Sequence, residues 1–299
     1  MDGTAFGTGP VVLDGGLATE LEAQGHELTD RLWSARLLET APEEIVAAHA
    51  AFFRAGAAVA TTASYQASFE GFAAHGIERG DAERLMRRSV ELARLAADIE
   101  SGDRRWVAAS IGPYGAVLAD GSEYHGRYGL SRKQLHDFHR PRMEALAASG
   151  PDLFALETVP DVAEAEAMLD ALEGVGIPAW LSYTISGRHT RAGQPLDEAF
   201  ALARDNDAVL AVGVNCADPD EVTEAVTTAR EVSGKPVIAY PNSGEDWDPA
   251  TRRWAGPSRL SMSQAAQWRS AGARFIGGCC RVGPADISAL AAALAELDS

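Results

Sequence analysis

Cysteine is scarce in this chain, three among 299 residues. Three thiols cannot pair completely, and so low a density excludes a small secreted fold held by disulfides. Basic residues are also short, with 26 Lys and Arg against 43 Asp and Glu, a net charge of −17. That balance opposes the phosphate-neutralising surface that nucleic-acid binding needs, and it makes anionic membranes poor partners. No apolar run reaches the ~18 residues of a membrane span. The opening MDGTAFGTGP lacks a basic segment followed by an apolar one. No Gly/Ser linker, low-complexity tract or charge block divides the chain. The expectation is a cytoplasmic protein in a reducing compartment, folded as one domain over 1–299, a monomer or small homo-oligomer.

What the chain does have is a period. Short apolar runs recur as VVL (Val11 to Leu13), AVATT (Ala58 to Thr62), WVAAS (Trp106 to Ser110), LFALE (Leu153 to Glu157), AWLSYT (Ala179 to Thr184), AVLAVGV (Ala208 to Val214), PVIAY (Pro236 to Tyr240) and ARFIG (Ala273 to Gly277). Each precedes an Ala-, Leu- and Glu-rich helical stretch, the pattern of strands buried on both faces of a parallel sheet. Pro42 and Gly56 punctuate the first of these helices, Asp161 with Glu164 resembles a capping box, and Pro141 is expected to kink or divide the helix around HDFHRPR. Successive runs start 47, 48, 47, 26, 29, 28 and 37 residues apart. Eight such units predict an α/β fold, a single (β/α)₈ TIM barrel with extended early βα loops. An open doubly wound sheet is the alternative, but its Gly-rich fingerprint should follow the first strand, whereas Gly7-Thr8-Gly9 precedes it.

In a barrel the strand C-termini and the loops after them build the active site. Cys216 follows the sixth run in VGVNC, and Cys279 and Cys280 follow the eighth in GGCC. A vicinal disulfide is strained, because adjacent Cα atoms lie only ~3.8 Å apart. Three small buried hydrophobes is the bland alternative. A third reading is a soft three-thiolate site, which selects Zn²⁺ and leaves a fourth position open for water or a substrate thiol. Asp14, in DGG after the first run, and Glu157, ending the fourth, project toward the same mouth. Two carboxylates suit an ammonium group, while the N–H groups of Gly15 and Gly16 suit a carboxylate. Trp33, Tyr65, Tyr114, Tyr183 and Tyr240 lie in or near these loops, where aromatics either pack or face a cationic sulfonium. His136 and His139 read as a solvated helix face.

These residues resemble the homocysteine S-methyltransferase family, in its short cobalamin-independent branch that uses S-methylmethionine. LDGGLATELE, RLWSARLL, TTASYQAS, SIGPYGAVLADGSEYHGRYG, LETVPD, VGVNC, YPNSGEDWD and GGCC carry the likeness along nearly the whole chain. The resemblance implies zinc on Cys216, Cys279 and Cys280. It also implies an amino acid site at Asp14, Gly15, Gly16 and Glu157, with Tyr65, Trp33 and Asn215 beside it. The implied activity is transfer of a methyl group from S-methylmethionine, or less efficiently S-adenosylmethionine, to L-homocysteine, giving methionine. Selenocysteine or selenohomocysteine as acceptor and betaine as donor remain alternatives, and a non-catalytic zinc or thiol redox sensor is the alternative from another class.

Overall fold

The computed structural model describes the chain except residues 1–5, 27, 29–32, 101, 103, 249–252 and 298–299, and except the side chains of 33–35, 246–248 and 253. Eight parallel strands arise where the apolar runs predict them: β1 (Val11–Val12), β2 (Val59–Thr61), β3 (Trp106–Ile111), β4 (Leu153–Val159), β5 (Ala179–Tyr183), β6 (Val209–Asn215), β7 (Val237–Tyr240) and β8 (Ala273–Ile276). They lie in the order β1-β8-β7-β6-β5-β4-β3-β2. A parallel bridge between Leu13 and Val59 joins the two ends. The ring closes there because Ala58 N–H donates to the Val12 carbonyl (2.7 Å) and Asp14 N–H to that of Val59 (3.1 Å).

A helix returns the chain after every strand: α1 (Pro42–Arg54), α2 (Arg79–Ile99), α3 (Arg132–Ala147), α4 (Val162–Leu172), α5 (Leu196–Ala201), α6 (Val222–Ser233), α7 (Met262–Ala271) and α8 (Pro284–Leu297). Among the described helices none is long and apolar enough to cross a membrane. Pro42 opens α1, and Gly56 beyond its end takes a positive φ of 104°. Two expectations need correction. The helix around Pro141 is not divided, and α3 runs unbroken through it. Asp161 does cap α4 by accepting from Ala163 N–H, but Glu164 is buried instead of closing the box.

Strand periodicity sorts side chains between two cores. Residues 153, 155 and 157 of β4 share one face, as do 106, 108 and 110 of β3. Leu153, Ala155, Trp106, Ala108, Trp180, Ala211, Ile238, Tyr240 and Phe275 pack together inside the ring, while the alternate positions pack against the helices. Phe6 lies against Trp106 and Phe275, with ring centroids 4.7 and 5.2 Å away, and fills the end where the strands begin. The same alternation carries Ser110, Glu157 and Asn215 to the opposite end, atop the inner layer.

Candidate metal centre and active site

The three sulfurs meet at the C-terminal mouth. Cys216 follows β6 and the other two follow β8, and all three thiols lie within 4.8 Å of one another. Cys216 Sγ is 2.6 Å from Cys279 Sγ and 3.9 Å from Cys280 Sγ, and the thiols are free. The backbone holds them there. Cys216 has a positive φ of 47°, its N–H donates to the Tyr240 carbonyl, and its carbonyl accepts from Thr184 Oγ1. Cys279 N–H donates to the Pro241 carbonyl (2.7 Å), and Cys280 N–H to Asn242 Oδ1 (3.1 Å).

The charges of this cluster are coupled. Cys280 is drawn well below the usual thiol range because Cys216 and Cys279 both donate to it. Cys279 is pushed up by its bonds to Cys216 and Cys280 and by burial. Cys216 is also pushed up, since the bond from Cys279 is outweighed by its donation to Cys280, by burial and by the Cys280 charge. Left alone, the cluster thus holds one negative charge readily and resists a second. A soft dication removes that resistance, so the donor set fits one. The 3.9 Å separation matches the ~3.8 Å edge of a tetrahedron with bonds of ~2.3 Å, while the 2.6 Å separation of Cys216 and Cys279 is shorter than that edge.

Asp14 and Glu157 are buried at the same mouth. Asp14 accepts from the Thr61 N–H (2.6 Å) and hydroxyl (3.0 Å). Burial raises its pKa to about 8, and the charge on Glu157 adds to the rise. Glu157 accepts from the Ser110 hydroxyl and from Tyr240 OH (3.0 Å), which in turn accepts from Trp180 Nε1 (3.0 Å). Burial lifts Glu157 to about 7. Neither carboxylate faces a cation among the described ion pairs, and both are held by neutral donors that leave their charge uncompensated.

The Asp-Gly-Gly loop is glycine because the cysteine loop lies on it. A Cβ on Gly15 would sit 2.3 Å from the Val282 carbonyl oxygen, and one on Gly16 2.6 Å from that of Cys279. Gly16 N–H donates to the Val282 carbonyl (2.9 Å). The expectation that both N–H groups await a carboxylate is therefore corrected for Gly16. Asn215 is fully buried, and its amide is spent on Thr158: Oδ1 accepts from Thr158 N–H and the NH₂ donates to Thr158 Oγ1, each at 2.7 Å. Thr158 has a φ of 59°, a costly conformation for a β-branched residue. It hydrogen-bonds onward to Tyr65, whose hydroxyl pKa is driven up by burial and then by the nearby Cys216 charge. Trp33 begins a helix, but its side chain lies outside the described residues.

Two aromatics do not join the site. Tyr183 points outward and donates to the Ala199 carbonyl, and Tyr114 packs on Tyr128 and Phe138. Two supporting residues escaped the sequence reading, and a third was misread. Tyr124, in the turn Ser122–Tyr124, lies within the field of Cys216, Cys279 and Cys280. Arg142 is fully buried in α3 and donates to the carbonyls of Gly112 (2.9 Å), Ser64 (3.2 Å) and Tyr65 (2.9 Å). His139 is buried rather than solvated and pairs with buried Glu164 at 3.0 Å. The HDFHRPR spacing puts Arg142 and His139 on one helix face, which is the signal that was available.

Residues 11–294 match the sequence pattern of homocysteine S-methyltransferases. The chain belongs to the homocysteine S-methyltransferase family. It is 44% identical over 292 residues to the Escherichia coli enzyme of that name, covering 94% of each chain, and 43% identical over 294 residues to one from Bacillus subtilis, covering 94% of this chain and 93% of that one. The structure of the E. coli homocysteine methyltransferase MmuM in a metallated form superposes with a TM-score of 0.87 at 43% identity, covering 96% of both chains. The three-cysteine mouth is thus set in a methyltransferase framework along nearly its full length.

Proposed function

We propose that this protein is a zinc-dependent methyltransferase that moves a methyl group from a sulfonium donor, S-methylmethionine or less efficiently S-adenosylmethionine, to the thiol of L-homocysteine, giving methionine. The observation that carries the reading is the convergence of Cys216, Cys279 and Cys280 beside two buried, cation-free carboxylates in a chain of this family. Zinc suits three sulfur ligands with one position open, and when bound it supplies a site at which a substrate thiol stays deprotonated at neutral pH. Asp14 and Glu157 take the ammonium of homocysteine. Ser110 and Tyr240 fix the Glu157 carboxylate in place, and Tyr65 lines the side toward Cys216.

The transfer itself asks little of the protein. The homocysteine sulfur forms a bond to the methyl carbon, the donor's carbon–sulfur bond breaks, and its electron pair returns to sulfur as a neutral thioether. No proton must reach the leaving group, so orientation is the protein's main contribution. A non-catalytic redox sensor has no use for an amino acid pocket, and the buried carboxylates speak against that reading.

The test is zinc content of the purified protein together with methionine formation from S-methylmethionine, S-adenosylmethionine and betaine, with the selenium analogues as competing acceptors. Substituting Cys216, Cys279 or Cys280 by Ala should remove zinc and activity together. Full activity in a zinc-free Cys280→Ala variant overturns the metal mechanism, whereas activity with betaine alone overturns the donor.

A further inference from the structure

The loop after β3 carries an acid, Glu123, that accepts from its own backbone N–H but meets no cation among the described residues. Its turn, Ser122–Tyr124, is seated tightly on the short helix Tyr114–Leu118, for a Cβ on Gly115 would lie 2.4 Å from Glu123 N. Ser122 donates to Asp120, just before the turn. Glu123 Oε2 is buried and has no hydrogen-bond partner, and no Lys, Arg or His pairs with Glu123 among the described residues. Its charged neighbours are both negative, Asp120 and Cys280. Elsewhere in this chain acids in reach of arginine are paired, as with Arg94–Asp152 and Arg281–Glu245. A buried carboxylate oxygen without a donor is costly, and such a group in a native fold calls for an explanation, of which a bound water, ion or ligand is one.

Depth separates this acid from the other two. Asp14 and Glu157 sit on the floor of the mouth, with their oxygens engaged by Thr61, Ser110 and Tyr240. Glu123 is only partly covered, next to Tyr124 in the turn and within the field of Cys280. The Tyr124 ring already accepts a cation, since the Arg191 guanidinium lies 5.8 Å from its centroid. A ligand that arrives after the acceptor is seated would meet Glu123 and Tyr124 first. The donor in the reaction above is such a ligand, and it carries positive charge on sulfur and on nitrogen.

We infer that Glu123 is a specificity-determining residue for the methyl donor, its free Oε2 taking the donor's positive charge beside the ring of Tyr124. The inference rests on the methyl-transfer reading. Glu123 exchanges no proton and forms no bond in the transfer; it raises the occupancy of a cationic donor over a neutral analogue of the same shape.

Glu123→Gln keeps the side chain's size and removes its charge. The expected result is a donor KM for S-methylmethionine raised about ten- to a hundredfold with kcat within about twofold, as suits a charge-assisted contact made equally before and during reaction. Zinc content and the calorimetric Kd for homocysteine should stay at wild-type values, and Glu123→Asp should recover most of the donor KM. An unchanged donor KM, loss of zinc, or an equal weakening of both substrates overturns the assignment. Should Glu123→Gln fail to fold, the wild type still decides: methionine sulfoxide, with oxygen in place of the methyl and no net charge on the side chain, should inhibit at least tenfold more weakly than S-methylmethionine binds, and equal affinity overturns the inference. Wild-type turnover of S-methylmethionine tests the parent reading by itself, so its absence sinks both, whereas turnover with a wild-type donor KM in Glu123→Gln sinks the Glu123 assignment alone.

Discussion

Asp14 and Glu157 hold protons that a carboxylate in water would have lost, with pKa values of about 8 and about 7. Burial is the leading cause in both, so the charged forms wait for a cation. A carboxyl whose folded pKa lies above its unfolded value stabilises the fold fully below the unfolded value and loses that contribution progressively as pH rises toward the folded one, a loss that begins near pH 4 and is complete at about 7 for Glu157 and about 8 for Asp14. An ammonium group binding between them reverses the preference and expels protons. L-Methionine is the suitable probe because its sulfur carries no proton of its own. Calorimetry in two buffers of different ionisation enthalpy should show proton release near pH 6.5 and affinity rising at least about tenfold from pH 6 to 8. Asp14→Asn with Glu157→Gln should abolish the release, and binding without proton release in the wild type would remove both carboxylates from the ammonium site. The positions of these acids were legible, since DGG follows β1 directly and Glu157 shares a strand face with Leu153 and Ala155. Their protonation was not, because desolvation depends on walls contributed by distant segments.

Between elements, one amide links two strands and a loop. Asn215 ends β6 beside Cys216 and grips Thr158 near the end of β4, which reaches Tyr65 after β2. Both Thr158 and Cys216 have positive φ, and the Asn215 bonds hold the first of these in place. Sequence adjacency to Cys216 marked Asn215 as important but assigned it to substrate, because a motif shows proximity and not which way an amide points. The same limit made His139 look solvated: its burial comes from Glu164 on α4, which spacing within α3 cannot reveal. Asn215→Leu should leave the Thr158 N–H without its partner and cost about 1–3 kcal/mol of stability. Its more specific effect should be on the cluster, with zinc held about tenfold more weakly and activity falling in step when zinc is limiting. Chelator competition followed by restoration with excess zinc measures this, and wild-type zinc retention in Asn215→Leu would confine the amide to a role in folding alone.

At the scale of the whole molecule, the barrel was legible because eight apolar runs recur with helices between them, and a buried parallel strand needs little beyond such a run. The closing contact was less so: β1 has only two residues, and the ring is completed by the Leu13–Val59 bridge, which depends on register rather than on apolar pattern. Net charge carries a further consequence. The protein bears −17, and near its mouth stand Glu123 and the Glu22 that lies within the fields of Arg281 and Cys280, while Asp14 and Glu157 add charge only as they lose their protons. S-methylmethionine carries a net positive charge at neutral pH, whereas homocysteine is neutral overall, so the field should gather the donor and leave the acceptor unsorted. The screening length falls from ~30 Å at 0.01 M salt to ~8 Å at 0.15 M, short of the dimensions of a barrel this size. Raising NaCl across that range should therefore increase the donor KM about two- to fivefold, leave kcat unchanged and move the homocysteine KM little. Steady-state kinetics with each substrate varied in turn separates the two. A donor KM that stays flat while the Glu123→Gln effect persists would assign donor recognition to short-range contact at the mouth, and equal salt sensitivity for both substrates would point to the metal site instead of the field.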